Sequence, residues 1–148
     1  MEAVILLGIQ ASGKSTFAQQ RFASTHIRLN LDMLRTRTRE AILLEACLRA
    51  KQPFVVDNTN VSREERARYI RQSTQAGFRV IGYYFSSRLA DSLTRNATRV
   101  GDARVPDVGL IATAKRLERP SKSEGFDELY FVQVRDGEFE VEAWNDEI

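Results

Sequence analysis

Nine residues near the start of the chain, Gly8-Ile9-Gln10-Ala11-Ser12-Gly13-Lys14-Ser15-Thr16, constrain it more than any other feature. They fit the pattern G-x-x-x-x-G-K-[ST] in full. The preceding Ala3-Val4-Ile5-Leu6-Leu7 is a continuous apolar run, the pattern of a strand buried on both faces. A helix is expected from about Lys14 to Ala23. Each fixed residue type in the loop has a physical reason. Gly8 and Gly13 permit backbone angles that turn successive N–H groups, those of Gln10, Ala11 and Ser12 among them, toward phosphate oxygens. The helix that follows aims its positive end at the same anion. Lys14 supplies a mobile charge to the β- and γ-phosphates. Ser15 supplies a hydroxyl for Mg²⁺, and Thr16 completes the motif. The loop therefore reads as a site for the phosphates of ATP with Mg²⁺.

The rest of the chain continues the alternation. Ile27 to Leu31 reads as a short strand ending at Asp32, and Arg39 to Lys51 has helical periodicity until Pro53. Phe54-Val55-Val56 is a third strand, ending at Asp57. Ser62 and Glu65 form the signature of a capping box, and the helix they open stops at Gly77. Phe78 to Phe85 reads as a strand, with Tyr83, Tyr84 and Phe85 in the core. Leu89 to Thr98 is helical and polar, and Pro106 opens a helix through Leu117. Leu129 to Val134 and Glu138 to Ala143 flank Asp136-Gly137, a two-residue hairpin signal. The predicted fold class is α/β: a P-loop kinase fold, mostly parallel, with helices on both faces and an antiparallel edge hairpin at the C-terminus.

Length and composition narrow the class further. The 148 residues suit one domain, 1–148, with a 43% hydrophobic and 28% charged make-up that is ordinary for a folded protein. The net charge, 22 minus 20, is only +2, too weak to argue for nucleic acid or membrane binding by itself. No apolar stretch approaches a membrane span, and no signal peptide is visible. The single cysteine, Cys47, sits in an apolar helical run and reads as core. A lone thiol fits the reducing cytoplasm, the expected location.

In an open parallel sheet, ligands bind beyond the carboxyl ends of the strands. Asp32 and Asp57 both stand at such ends. A transferred phosphoryl group needs an acceptor oxygen held in line and relieved of its proton, so Asp32 is the candidate base. A cap for the next helix is the other reading. Asp57 is a candidate to hold Mg²⁺ from its outer shell, or a loop cap satisfied by Thr59 or Asn60. Arg35, three residues after Asp32, is placed for an anionic group on the acceptor. Arg95, Arg99 and Arg104 cluster around a segment, about 95–106, entered near Gly101 and left at Pro106. They read either as a lid that neutralises a transferring phosphoryl group or as a solvated face. His26 has no cysteine or second histidine beside it, which argues against a metal site. Trp144 is expected to cover the sheet edge or to mediate self-association.

Taken together, these segments resemble the kinase domain of polynucleotide 5′-hydroxyl kinases. The resemblance is carried by the phosphate loop, by Asn30-Leu31-Asp32-Met33-Leu34-Arg35, and by Asp57-Asn58-Thr59-Asn60 with the arginine-rich helix after it. Arg95 and Arg99 followed by Val105-Pro106, and Pro120 with Glu124-Gly125-Phe126, add to it. It covers about Val4 to Val134. By resemblance, Asp32 is the general base, Arg35 holds the acceptor's phosphate, Arg99 contacts the donor phosphates and Arg95 supports it. The chain departs from the pattern at Gln10 and Ala11, where a proline or glycine is common, and at Leu31, where many relatives carry arginine. The resemblance implies transfer of the γ-phosphate of ATP to a 5′-hydroxyl end of DNA or RNA. A kinase of the same architecture acting on a nucleoside, sugar or antibiotic is the alternative, and a nucleotide-binding ATPase or switch protein is the third.

Overall fold

The computed structural model describes residues 1–86 and 88–148. Its elements in chain order are β1 (Glu2–Leu7), α1 (Lys14–Phe22), β2 (Ile27–Leu29), α2 (Leu31–Leu34), α3 (Arg37–Ala50), β3 (Phe54–Asp57) and α4 (Arg63–Gln75). Then follow β4 (Arg79–Phe85), α5 (Leu89–Ala97), α6 (Asp107–Arg116), β5 (Glu128–Arg135) and β6 (Glu138–Ala143), with 3-10 turns at Gly101–Ala103 and Lys122–Glu124. The sheet order is β2-β3-β1-β4-β5-β6, parallel throughout except for the β5–β6 pair. This is the expected α/β P-loop kinase fold with its antiparallel hairpin. Asp136 and Gly137 turn the hairpin with φ of 51° and 75°, both left-handed, as a tight type I′ turn requires.

The apolar run of β1 becomes the central strand because both of its faces are covered. Ala3, Ile5 and Leu7 pack with Leu44 and Cys47 of α3 and Tyr69 and Ile70 of α4. Val4 and Leu6 face the other way, onto Phe17, Ala18 and Phe22 of α1. Phe17 is fully buried and meets the rings of Phe22, Tyr83, Phe85 and Phe139 at centroid distances of 5.1–6.0 Å. Truncating such a ring to alanine costs about 3–5 kcal/mol. That packing fixes α1, and with it the loop that enters α1. Cys47, Tyr83, Tyr84 and Phe85 are buried, as expected. Trp144 lies edge-on to Tyr84 of β4 and Phe131 of β5, so it packs on a face of the sheet over two inner strands rather than on its edge.

Three local expectations are corrected. The second strand ends at Leu29, because Asn30 turns the chain into α2: its side-chain oxygen accepts from Met33 N at 3.0 Å. Asp32 therefore sits in the first turn of a short helix rather than at a strand end. The next helix begins two residues early, at Arg37, because Thr36 caps it by accepting from Arg39 N. Only half of the Ser62 capping box forms. Ser62 accepts from Glu65 N, while the Glu65 carboxylate pairs with Arg116 at 3.3 Å. A complete box stands instead at Ser121 and Glu124. Among the described residues no helix is long and apolar enough to cross a membrane.

Candidate functional site

The loop between β1 and α1 has the backbone its motif requires. Gly13 has φ 101°, and a Cβ there would come within 3.0 Å of the Phe139 ring. Ala11 also has positive φ, 59°. Ser12 and Lys14 are buried. The Lys14 ammonium donates to the carbonyls of Gly8 at 2.8 Å and Ile9 at 2.6 Å, and reaches Ser12 Oγ at 3.3 Å. Burial pulls the Lys14 pKa down from 10.5 to about 8. Asp57 works against the shift, Arg99 adds to it and Asp32 opposes it. The carboxylates of Asp57 and Asp32 and the guanidinium of Arg99 thus all lie within electrostatic reach of one amine. The Gln10 side chain turns away from it, donating to Thr113 Oγ1 of α6 at 3.0 Å, so Gln10 faces the site through its backbone.

Asp57, at the end of β3, is 2% exposed. Its Oδ2 accepts from Ser15 Oγ at 2.9 Å and from Arg28 Nε at 2.8 Å, and Arg28 Nη2 donates to Ser15 Oγ at 3.2 Å. Among the described residues neither Thr59 nor Asn60 bonds the carboxylate; Asn60 donates instead to Leu6 O at 2.8 Å. A hydroxyl and a carboxylate in contact form a hard oxygen pair, and the arginine drawn onto it demonstrates that a cation is favoured there. Among the described residues there is no cluster of three or more metal-ligating side chains. One carboxylate and one hydroxyl suit Mg²⁺, which keeps most of its shell as water and phosphate oxygens.

Asp32 is exposed on α2, and its position is set from below. Asn30 Nδ2 donates to Asp57 O at 2.6 Å, and Asn58 Oδ1 accepts from Leu31 N at 2.9 Å. Asn58 in turn donates to Glu40 Oε2 at 2.9 Å. Glu40 is buried and also takes Tyr69 OH at 2.7 Å, Arg37 at 3.2 Å and Arg68. Burial first, then the bond to Glu40, pushes the Tyr69 hydroxyl pKa up, so Tyr69 remains a donor. Arg35 ends α2 with φ 74° and is exposed, and its side chain has no hydrogen bond or ion pair among the described residues.

Helix α5 leans on the loop through Arg95, whose Nη1 donates to Ala11 O at 3.2 Å. Arg99 Nη1 donates to Ala103 O at 3.3 Å, within its own arm. Asn96 pins that arm, donating to Val105 O and accepting from Val105 N. Arg104 is exposed. A cavity of about 140 Å³ opens beside the loop between Ser12, Ser86, Arg95 and Gln133.

Arg28, Glu40 and Asn58 take part without having been singled out in the sequence. Asn58 stands in the quoted Asp57-Asn58-Thr59-Asn60 segment, which is a signal. Arg28 and Glu40 have none, because apart from Arg37, three residues before Glu40, their partners lie 13 to 29 residues away. His26 pairs with Glu2 at 2.8 Å.

The chain is 29% identical, over 97% of its length, to the bifunctional polynucleotide phosphatase/kinase of Schizosaccharomyces pombe, and spans only 36% of that protein. Among solved structures it is similar to Chaetomium thermophilum Kti12 in complex with ADP-AlF3, with TM-score 0.71, 17% identity, and 90% of each chain covered. It is also similar to a gluconokinase from Sinorhizobium meliloti, with TM-score 0.65, 18% identity, and coverage of 90% of this chain and 82% of that one. These likenesses establish the P-loop kinase fold. The AAA_33 family model, described as an AAA domain, matches residues 4–120, and the chain belongs to that family.

Proposed function

We propose that the protein is an ATP-dependent phosphotransferase that passes the γ-phosphoryl group to a hydroxyl of a small acceptor carrying an anionic group. The observation that carries this reading is the position of Asp57 between the two halves: its Oδ2 accepts from Ser15 Oγ of the phosphate loop at 2.9 Å, and its carbonyl accepts from Asn30 Nδ2, the cap of the Asp32 helix, at 2.6 Å. Lys14 and the loop N–H groups bind the donor phosphates. Ser15 and Asp57 would hold Mg²⁺, which when bound neutralises charge on the β- and γ-phosphates. Asp32, exposed to an entering hydroxyl, accepts its proton as the hydroxyl oxygen attacks phosphorus in line and the bond to the β-phosphate oxygen breaks. Arg99 and Arg95 stabilise the equatorial oxygens and close the site against water.

The supply of free cations supports a small acceptor. Of the arginines around α2, Arg37 and Arg68 are taken by Glu40. Arg35 and Arg39 pair with no carboxylate among the described residues and are left for an anionic group, Arg39 donating only to Leu34 O at 3.1 Å. The fold likeness to gluconokinase extends over most of both chains, which agrees with this reading. A second reading, a 5′-hydroxyl end of DNA or RNA as acceptor, is favoured by the sequence likeness to the yeast phosphatase/kinase. Incubation with labelled ATP, Mg²⁺ and two acceptor panels, sugars and nucleosides in one and 5′-hydroxyl oligonucleotides in the other, decides between them. Label on a small acceptor supports the first reading, label on oligonucleotides alone replaces it with the second, and hydrolysis without transfer to either defeats both.

A further inference from the structure

The Arg28 guanidinium lies on the two side chains that the proposed function gives to Mg²⁺. Its Nε is 2.8 Å from Asp57 Oδ2 and its Nη2 is 3.2 Å from Ser15 Oγ, while Ser15 Oγ is 2.9 Å from the same Asp57 oxygen. The three groups close a triangle. The Asp57 side chain is 1% exposed, so its charge needs a cation beside it. The Arg28 side chain is 38% exposed, so it reaches water by moving outward only a short way. A groove of about 700 Å³, lined by Ser15, Thr16, Gln19, Phe22, His26 and Arg28 itself, lies next to it and has room for the displaced side chain.

We propose that Arg28 is a stand-in cation: it holds Ser15 and Asp57 in place in the metal-free protein and gives way to Mg²⁺, moving into the groove along α1. This rests on the reading of Ser15 and Asp57 as metal ligands. The exclusion is physical. A guanidinium fork and a hydrated divalent ion cannot share one carboxylate oxygen and one hydroxyl at bonding distance, and their charges repel at that range. The stand-in keeps the buried carboxylate pointed at the loop before nucleotide arrives. It also makes metal binding weaker than the ligands alone would give, because each ion displaces an existing partner.

The test measures metal coupling rather than turnover. Dissociation constants of a fluorescent ATP analogue are measured in excess Mg²⁺ and in EDTA, and their ratio gives the coupling. Arg28→Ala is expected to raise the ratio of the EDTA constant to the Mg²⁺ constant roughly three- to tenfold, by tightening binding in Mg²⁺ as well as weakening it in EDTA. Arg28→Lys, which keeps the charge and loses the fork, should fall between. Melting in EDTA should drop for Arg28→Ala, with the gap to the native protein narrowing once Mg²⁺ and nucleotide are added. A ratio in a folded Arg28→Ala protein equal to or below the native one overturns the proposal, since Arg28 would then be an ordinary ion pair or a helper of the metal. Should Arg28→Ala not fold, the same comparison with Arg28→Lys decides. Native protein that binds nucleotide with no dependence on Mg²⁺ sinks the metal reading and this inference together. A metal-dependent native protein with an unchanged ratio in the variant sinks this inference alone.

Discussion

The two halves of the site are built differently. On the donor side, Ile9, Ala11, Ser12 and Lys14 are buried, and Lys14 is held by three loop atoms. On the acceptor side, Asp32 and Arg35 are exposed, the first on a four-residue helix and the second at its C-cap, where φ is 74°. The donor half is preformed by the packing of α1 on β1 and β4. The acceptor half hangs from side-chain bonds, Asn30 to the end of β3 and Asn58 to Leu31. A triphosphate is the same for every kinase, so its site gains from rigidity. An acceptor differs from enzyme to enzyme, and a short helix on polar tethers changes without disturbing the core.

The sharpest way to break this division is to remove Asp32. Asp32→Ala should lower phosphoryl transfer by about 10²–10⁴-fold, the usual scale for a general base, and leave nucleotide affinity unchanged. Label transfer and nucleotide titration on the same preparation measure both. Nucleotide affinity that falls along with transfer would move Asp32 to the donor half. Lys14→Ala is the opposite case. Transfer should fall by about 10²–10³-fold, the cost of losing one charge aimed at the transferring group, and nucleotide should bind more weakly as well.

How much of this was legible in the sequence follows the same line. The loop, β1 and α1 could be read because a local pattern specifies them: Gly8, Gly13, Lys14 and Ser15 act within nine residues, and their backbone needs are intrinsic. Asp57 was legible for a similar reason, standing at the end of a buried strand. The Asp32 helix was misplaced because Asn30 caps it while also bonding the end of β3, a tether 27 residues long. Glu40 looked like any exposed helical acid. Its burial depends on Asn58 and Tyr69, which sheet topology brings beside it. Arg28 was read only as part of a strand, since nothing local marks an arginine that will meet Asp57 across the β2–β3 pair.

Glu40 gives a smaller and sharper test, because it supports the acceptor half alone. Glu40→Gln keeps the volume and removes the charge that Arg37, Arg68, Tyr69 and Asn58 share. The side chains of Arg37 and Arg68 are 54% and 36% exposed, so both remain solvated once freed. The expected loss is therefore about 1–2 kcal/mol, well short of a stranded buried charge. A melting curve measures it. Acceptor KM should rise in that variant while nucleotide affinity holds; a matching loss of nucleotide affinity would mean the two halves share one support.

The smallest effect is one of pH, and it belongs to the donor half alone. Lys14 titrates near 8 in the free protein, chiefly through burial, against 10.5 when unfolded. Between those values the unfolded chain holds a proton that the folded one has released. The unfolded state then binds more protons, and stability rises with pH across the window. Below about 8 both states are protonated and this contribution is flat. Nucleotide affinity runs the other way: as pH climbs past 8 the loop loses the ammonium that attracts phosphate, and binding should weaken a few-fold. Lys14→Met carries no titrating group, so the native-minus-variant difference isolates both slopes from the other groups that titrate there. A triphosphate bound above pH 8 should recharge the amine, so calorimetry in buffers of different ionisation enthalpy should register proton uptake by the native protein and less by the variant. Equal uptake in the two would assign the proton to another group and leave the donor half without its pH signature.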